Sequence, residues 1–171
     1  PGPVATPAGV SCSEAGQPRP ETRTWKKPAQ MNLDGTVDWV LNTNCGRITI
    51  ALDTEAAPKN VNAIAFLTDQ GYYSGNFCHR LTTAGIFVLQ CAGRPPRGRA
   101  TASSQIFLVY QDTTLPPSYS LVGTVKQGMD VVNYVAAGGV QPGSSDASDG
   151  TPAQPIVIKT ASIENKGCHD R

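Results

Sequence analysis

At 171 residues and a net charge of +1, the chain has the length of one domain, and its charge offers no electrostatic footing for nucleic acid or an anionic membrane. Charged residues are sparse at 16%, while 17 glycines and 14 prolines favour a loop-rich β protein. No apolar run reaches the length of a membrane span, and no charged-then-apolar leader opens the sequence, so a leader was either removed or never present.

Residues 1–34 hold six prolines and no apolar periodicity, and read as a Pro-rich flexible linker or tail. Asp34-Gly35 is a turn signal. Val37, Trp39 and Leu41 then alternate with mainly polar residues, as do Ile48, Ile50 and Leu52, with Asn44-Cys45-Gly46 between them. That pattern predicts a hairpin of strands 36–43 and 46–53. Pro58 opens a helix whose buried stripe is Val61, Ile64, Ala65 and Leu67, with Phe66 beside it and Gly71 as its stop. This helix reads as core and carries no chemistry.

Phe77 to Thr82 and Ile86 to Cys91 form a second predicted hairpin about the turn Thr83-Ala84-Gly85. It folds Arg80, Phe87 and Gln90 towards one another: a cation with a fork of donors, a flat apolar wall and an amide that donates and accepts. Strand alternation points His79 away from Arg80, and with no carboxylate or nucleophile near it in sequence a hydrolase triad has little support. Ala92 to Ala102 has no strand pattern and is locally basic through Arg94, Arg97 and Arg99, as a solvated loop would be. The minor alternative is that Pro95-Pro96 within it serves as a polyproline recognition peptide. Strands are predicted at 105–110, 121–125 and 155–163, with Gly123 marking a bulge or a close backbone approach. A helix is predicted at Gly128 to Ala137, buried through Val131, Val132 and Val135 and stopped by Gly138-Gly139. Pro142 to Pro155 is a Gly/Ser/Asp loop. The domain is thus 35–165, with 166–171 a C-terminal tail.

Five cysteines are an odd count. Cys78 and Cys91 lie near the outer ends of the central hairpin, where facing positions come within disulfide reach; the alternative is two small buried hydrophobes. A bridge there favours an oxidising compartment. Cys12 and Cys168, near the two termini, could pair, leaving Cys45 in its turn as the odd thiol. No close Cys or Cys/His pairs recur at metal-site spacing, so no metal is expected.

Phe77-Cys78-His79-Arg80 followed by Phe87-Val88-Leu89-Gln90 resembles the signature of the cyclophilins, the cyclosporin-binding peptidyl-prolyl cis-trans isomerases. The longer run from Cys78 to Cys91 is similar to secreted or membrane-anchored actinobacterial cyclophilins. The likeness continues through Ser104-Gln105-Ile106-Phe107, Leu115-Pro116-Pro117-Ser118-Tyr119, Val122-Gly123-Thr124-Val125 and Gly128-Met129-Asp130-Val131-Val132, covering roughly Thr43 to Ile163. It implies a mainly β fold with two helices, a cyclophilin-like antiparallel β-barrel. It also implies a long segment after Cys91, with a Gly-rich loop and a strand ending in Ala-Asn-Ala, for which this chain has no counterpart. We read a deletion or a short out-of-frame junction there. The barrel is then left open, or is repaired by Ala92 to Ala102.

Catalysis of X–Pro rotation needs neither base nor nucleophile. It needs a donor to the prolyl nitrogen as amide resonance breaks, an apolar seat for the ring and a grip on the neighbouring carbonyl. The resemblance makes Arg80 the donor, with Phe87 and Gln90 the other catalytic positions. Gln105, Phe107, Leu115 and Tyr119 become substrate-binding residues, and His79 stays structural. No cofactor is implied. The partners implied are proline-containing peptides or unfolded clients, met as a monomer in an extracellular or cell-surface setting. Thr114 stands where many cyclophilins carry the tryptophan that holds cyclosporin, and Tyr119 where they often carry a histidine, so cyclosporin binding should be weak or absent. The expected function is isomerisation during folding of exported proteins, at reduced activity. A vestigial, non-catalytic peptide-binding domain is the alternative, and a disulfide-bearing β-module with unrelated binding is a third reading.

Overall fold

The computed structural model describes residues 7–19, 23, 25, 27–33, 35–92 and 104–166. Arg94, Pro95, Pro96, Arg97, Arg99, Asp34 and Cys168 lie outside the described residues.

The first hairpin forms as its alternation requires. Strand β1 (Thr36–Thr43) pairs antiparallel with β2 (Gly46–Leu52), and the predicted apolar positions face one another directly: Val37 with Leu52, Trp39 with Ile50, Leu41 with Ile48. Their shared face is the core, and each of these six side chains is at most 5% exposed. Burying an aliphatic side chain of this size contributes about 1.5–3 kcal/mol. Helix α1 (Pro58–Asp69) follows, buried through Val61, Ile64, Ala65, Leu67 and Thr68. The Asp53 carboxylate accepts from the N–H groups of Glu55 and Ala56 ahead of it. Gly71 ends the helix at φ 72°, and the Tyr72 N–H donates back to the Leu67 carbonyl.

Strand β3 (Asn76–Thr82) then pairs with β4 (Val88–Cys91), and β4 with β5 (Ile106–Val109). Strand β6 (Gly123–Gln127) pairs with β2, α2 (Met129–Ala137) is buried through Val131, Val132, Val135 and Ala136, and the short β7 (Asp149–Gly150) lies along β3. Strand β8 (Val157–Lys166) closes the order. The sheet runs β5-β4-β3-β8-β1-β2-β6, so β8 sits between the two hairpins and joins them into one curled antiparallel sheet. Among the described residues, β5 and β6 each have a neighbour on one side only, giving a half-barrel with two helices. An unpaired strand edge of this kind is a template for further pairing.

Three strands differ from expectation by two residues or more. The fourth strand is shorter than expected because Ile86 bridges Ala84 inside the turn. The sixth lies two residues further along. Leu121 is 81% exposed, and the partner β2 sets the register through Leu52↔Gly123 and Ile50↔Val125. There a Cβ on Gly123 would fall 2.2 Å from the Ala51 carbonyl oxygen, which is the close approach its sequence position suggested. The last strand runs to Lys166, which pairs with Thr36.

The cysteine pairing differs from the expectation of Cys12 with Cys168. Cys12 is bonded to Cys45, at an S–S distance of 2.10 Å, and Cys45 is therefore not the odd thiol. The turn holding Cys45 is a hydrogen-bonding hub. The Asn44 side chain donates to the carbonyls of Ser13 and Pro155 and accepts from the Val157 N–H, while the Asn44 carbonyl accepts from the Ser13 N–H. Further along, Arg19 and Arg23 donate to the Gly71 and Gln70 carbonyls past the end of α1, where cations complement the helix dipole. Trp25 meets Tyr72 edge to face at 5.8 Å, and Asn62 grips the Ala29 carbonyl and the Met31 N–H.

One buried charge adds a prediction. Asp38 is 1% exposed on β1, and Lys126 donates to its carboxylate from the irregular position between Val125 and Gln127 of β6. Replacing Lys126 by Met removes that ammonium from a desolvated acid and should cost about 1–3 kcal/mol, read as a lower urea midpoint at unchanged slope.

Candidate active site

Cys78 and Cys91 face each other across β3 and β4 and are disulfide-bonded, with sulfurs 1.96 Å apart. From that pair, regular antiparallel pairing would set Arg80 opposite Leu89. The register instead shifts between Cys78 and Arg80, so Arg80 faces Gln90 and Leu81 faces Leu89. His79 is the extra residue of this bulge and is half-buried. Bulges re-aim side chains in this way beside functional sites. Across β4, Gln90 faces Phe107 of β5. Directly opposed residues share a face of the sheet, so Arg80, Gln90 and Phe107 form one row over three adjacent strands.

Hydrogen bonds extend the row. The Gln90 amide nitrogen donates to the Gln105 side-chain oxygen, and Arg80 Nη1 donates to Gln90 Oε1 at 3.5 Å. Gln90 is 7% exposed, whereas the Arg80 side chain is 36% exposed, so a peptide can reach the guanidinium but not the amide beneath it. Tyr119 meets Phe107 edge to face at 5.1 Å, which puts a phenol at the open end of the row. Phe87 stands differently. It lies just before β4, its ring meets Tyr110 at 5.9 Å and its N–H donates to Thr113, so it is seated against the core beneath the loop after β5. Leu115 is half-buried in that loop and Thr114 beside it is exposed.

One member escaped the sequence reading. Asp149 accepts from Arg80 Nε and Nη2 through its two oxygens, both at 2.8 Å. It lies 69 residues from Arg80 in a Gly/Ser/Asp loop, and nothing in the local sequence marks it as anything but turn material. This hydrogen bond, the largest influence, raises the Arg80 pKa, and the Asp149 charge and Tyr119 add to it against the desolvating effect of burial. The same bond holds the Asp149 carboxyl below the usual carboxylate range, overcoming burial. The pair's stabilisation is therefore present above the ordinary carboxylate pKa of about 3.9 and is lost only as pH falls through the lower folded value. Both side chains are more than a third exposed, so that contribution is small.

The arrangement supplies a fixed cation, an amide relay and two aromatic rings on one face. Likenesses to known proteins bear on it. Residues 39–99 match the family described as cyclophilin type peptidyl-prolyl cis-trans isomerase/CLD. The fold superposes on a Cryptosporidium parvum cyclophilin type peptidyl-prolyl cis-trans isomerase with a TM-score of 0.58 at 17% identity, over 78% of this chain and 100% of that one. The chain is 30% identical over 180 residues to "Probable peptidyl-prolyl cis-trans isomerase B" of Mycobacterium tuberculosis, covering 80% of this chain and 56% of that protein. It is 30% identical to the Mycobacterium leprae protein of the same name over 209 residues, covering 94% of this chain and 69% of that protein. That aligned span is longer than the whole chain of 171 residues, so it includes residues of the relative that have no counterpart here. With the row of Arg80, Gln90 and Phe107 on this half-barrel and that extent of identity, the chain belongs to the cyclophilin-type peptidyl-prolyl cis-trans isomerases.

Proposed function

We propose that this chain accelerates X–Pro isomerisation in exported client proteins, more slowly than an intact relative does, with Arg80 donating to the prolyl nitrogen. The observation that carries this reading is the in-register row of Arg80, Gln90 and Phe107, bounded by Gln105 and Tyr119. As the nitrogen becomes pyramidal its lone pair becomes an acceptor, and a donor placed there lowers the rotation barrier of about 18–20 kcal/mol without covalent chemistry. Gln105, held by Gln90, grips the substrate backbone, and Phe107 and Tyr119 wall the proline ring, with Phe87 supporting that wall from the core side and Leu115 beside it. Two disulfides suit an oxidising setting outside the cytosol, and among the described residues no helix is long and apolar enough to cross a membrane.

Reduced activity rests on the family segment read as missing after Cys91, and the relative's residues that lack a counterpart here are consistent with it. A groove without its opposite wall positions a peptide loosely and lets water compete for the guanidinium. The same observation favours the second reading, a domain that holds proline peptides without turning them. Exchange spectroscopy on an X–Pro peptide separates the two: cis–trans exchange faster than the spontaneous rate supports the proposal, and peptide shift changes with unaltered exchange support binding alone. Activity equal to that of an intact relative would overturn the reading of a missing wall. The coding DNA across residues 91 to 104 provides an independent check, since a frame change that restores the family segment identifies a damaged copy.

Cyclosporin should bind weakly. Thr114 offers no indole surface, and loss of one such aromatic anchor commonly costs about 2 kcal/mol or more. Calorimetry returning a nanomolar dissociation constant would refute this account of the groove.

A further inference from the structure

We propose that Asp149 is the positioning residue for Arg80: it clamps one edge of the guanidinium so that the opposite edge stays aimed at a bound proline. The inference rests on Arg80 being the donor in the proposed isomerisation. A guanidinium carries five N–H donors in a rigid plane. Asp149 takes Nε and one N–H of Nη2, both at 2.8 Å, in the bidentate geometry that carboxylates and guanidinia favour. Gln90 takes one N–H of Nη1 at 3.5 Å. These bonds leave one N–H on each of Nη1 and Nη2 for a substrate nitrogen or carbonyl.

The clamp is built on the strand that it serves. Asp149 belongs to β7, which pairs with β3 through Thr82↔Asp149 and Leu81↔Gly150, immediately after Arg80. The Thr83 N–H donates to the Ser148 carbonyl and ties the loop to the end of β3. At Gly150 an added Cβ would lie 2.7 Å from both Ser144 Oγ and Val140 Cγ1, so glycine after Asp149 lets the preceding loop pack against β7. Guanidinium and carboxylate thus ride on paired backbone rather than on two independent loops. A free arginine side chain samples many rotamers, and a donor that must meet a transient lone pair gains from having them removed beforehand. Asp149 touches no reacting atom in this scheme and acts through Arg80 alone.

The test is a double-mutant cycle on the full chain, with Arg80 observed directly. Asp149→Ala should lower kcat on an X–Pro peptide about 10- to 100-fold with KM changed less than about threefold, as expected when only positioning in the transition state is lost. In an Arg80→Ala background the same change should have less than about a twofold effect, since the group it positions is gone. Asp149→Asn keeps an acceptor of the same shape and should fall between, which also guards against an alanine variant that folds poorly. The nitrogen-15 spectrum gives a readout independent of catalysis: the Arg80 Nε–H resonance should be sharp in the wild type and exchange-broadened in Asp149→Ala. Unchanged kcat in Asp149→Ala, an equal loss in the Arg80→Ala background, or an unaltered Nε–H resonance would each overturn the proposal. A wild type that does not accelerate exchange refutes the proposed function instead, and the Nε–H resonance then still decides whether Asp149 orders Arg80.

Discussion

Arg80→Ala should lower kcat/KM for an X–Pro peptide by about 100- to 1,000-fold, the range found when one preorganised donor to a developing charge is removed. The geometry makes this the largest single effect on activity. Arg80 is the member of the row that is both cationic and accessible, since Gln90 is nearly buried and its amide nitrogen already donates to Gln105. The Phe107 ring can hold a proline but has no donor, and the Tyr119 phenol donates without a positive charge. The substitution leaves the backbone pairing of β3 and β4 in place, and its partner Asp149 is more than a third exposed, so the orphaned carboxylate can be hydrated at little cost to stability. A normal circular dichroism spectrum with lost activity therefore assigns the effect to the donor. Residual activity that is unchanged by Arg80→Ala would remove Arg80 from that role. Arg80→Lys should recover only part of the loss, because an ammonium cannot keep the two-point hold on Asp149 while offering a second edge.

Replacing Cys12 and Cys45 together by Ser should lower the thermal midpoint by roughly 10 °C. Their bridge closes a separation of 33 residues, and the constraint that this places on the unfolded chain is worth about 3–4 kcal/mol in the chain-entropy account. For a chain of this length each kcal/mol corresponds to about 2–4 °C. The bridge also anchors one end of a longer set of contacts, in which Ser13 pairs with Asn44, Arg19 and Arg23 cover carbonyls beyond α1, and Trp25 packs on Tyr72. Replacing Cys78 and Cys91 by Ala opens a separation of only 13 residues and should cost about 3 kcal/mol. It should also reduce activity, since that bridge stands immediately beside the bulge that aims Arg80. Differential scanning calorimetry of the two double variants measures both effects. A Cys12/Cys45 variant that melts within about 2 °C of the wild type would show that the covalent tie adds little to the contacts around it.

Local chemistry determined much of this protein. Two hairpins follow from apolar alternation about turn residues, and two helices from a stripe bounded by Pro58 and Gly71 or by Gly128 and Gly138. The order of Phe77, His79, Arg80, Phe87 and Gln90 was enough to point to the family. These features were legible because each depends on neighbours within about a dozen residues. The tertiary structure decided what depends on distant partners. Strand β8 could not be placed between β3 and β1 from its own alternation, since an amphipathic strand pairs with any exposed edge of matching face. The bulge at His79 is invisible to a period of two, yet it turns Arg80 from Leu89 to Gln90. Cys12 found Cys45 rather than Cys168 because the Asn44 turn gathers the chain around Ser13. Asp149 reaches Arg80 because β7 lies along β3. A sequence pattern records which face a side chain takes; only the folded sheet determines which distant residue stands opposite it.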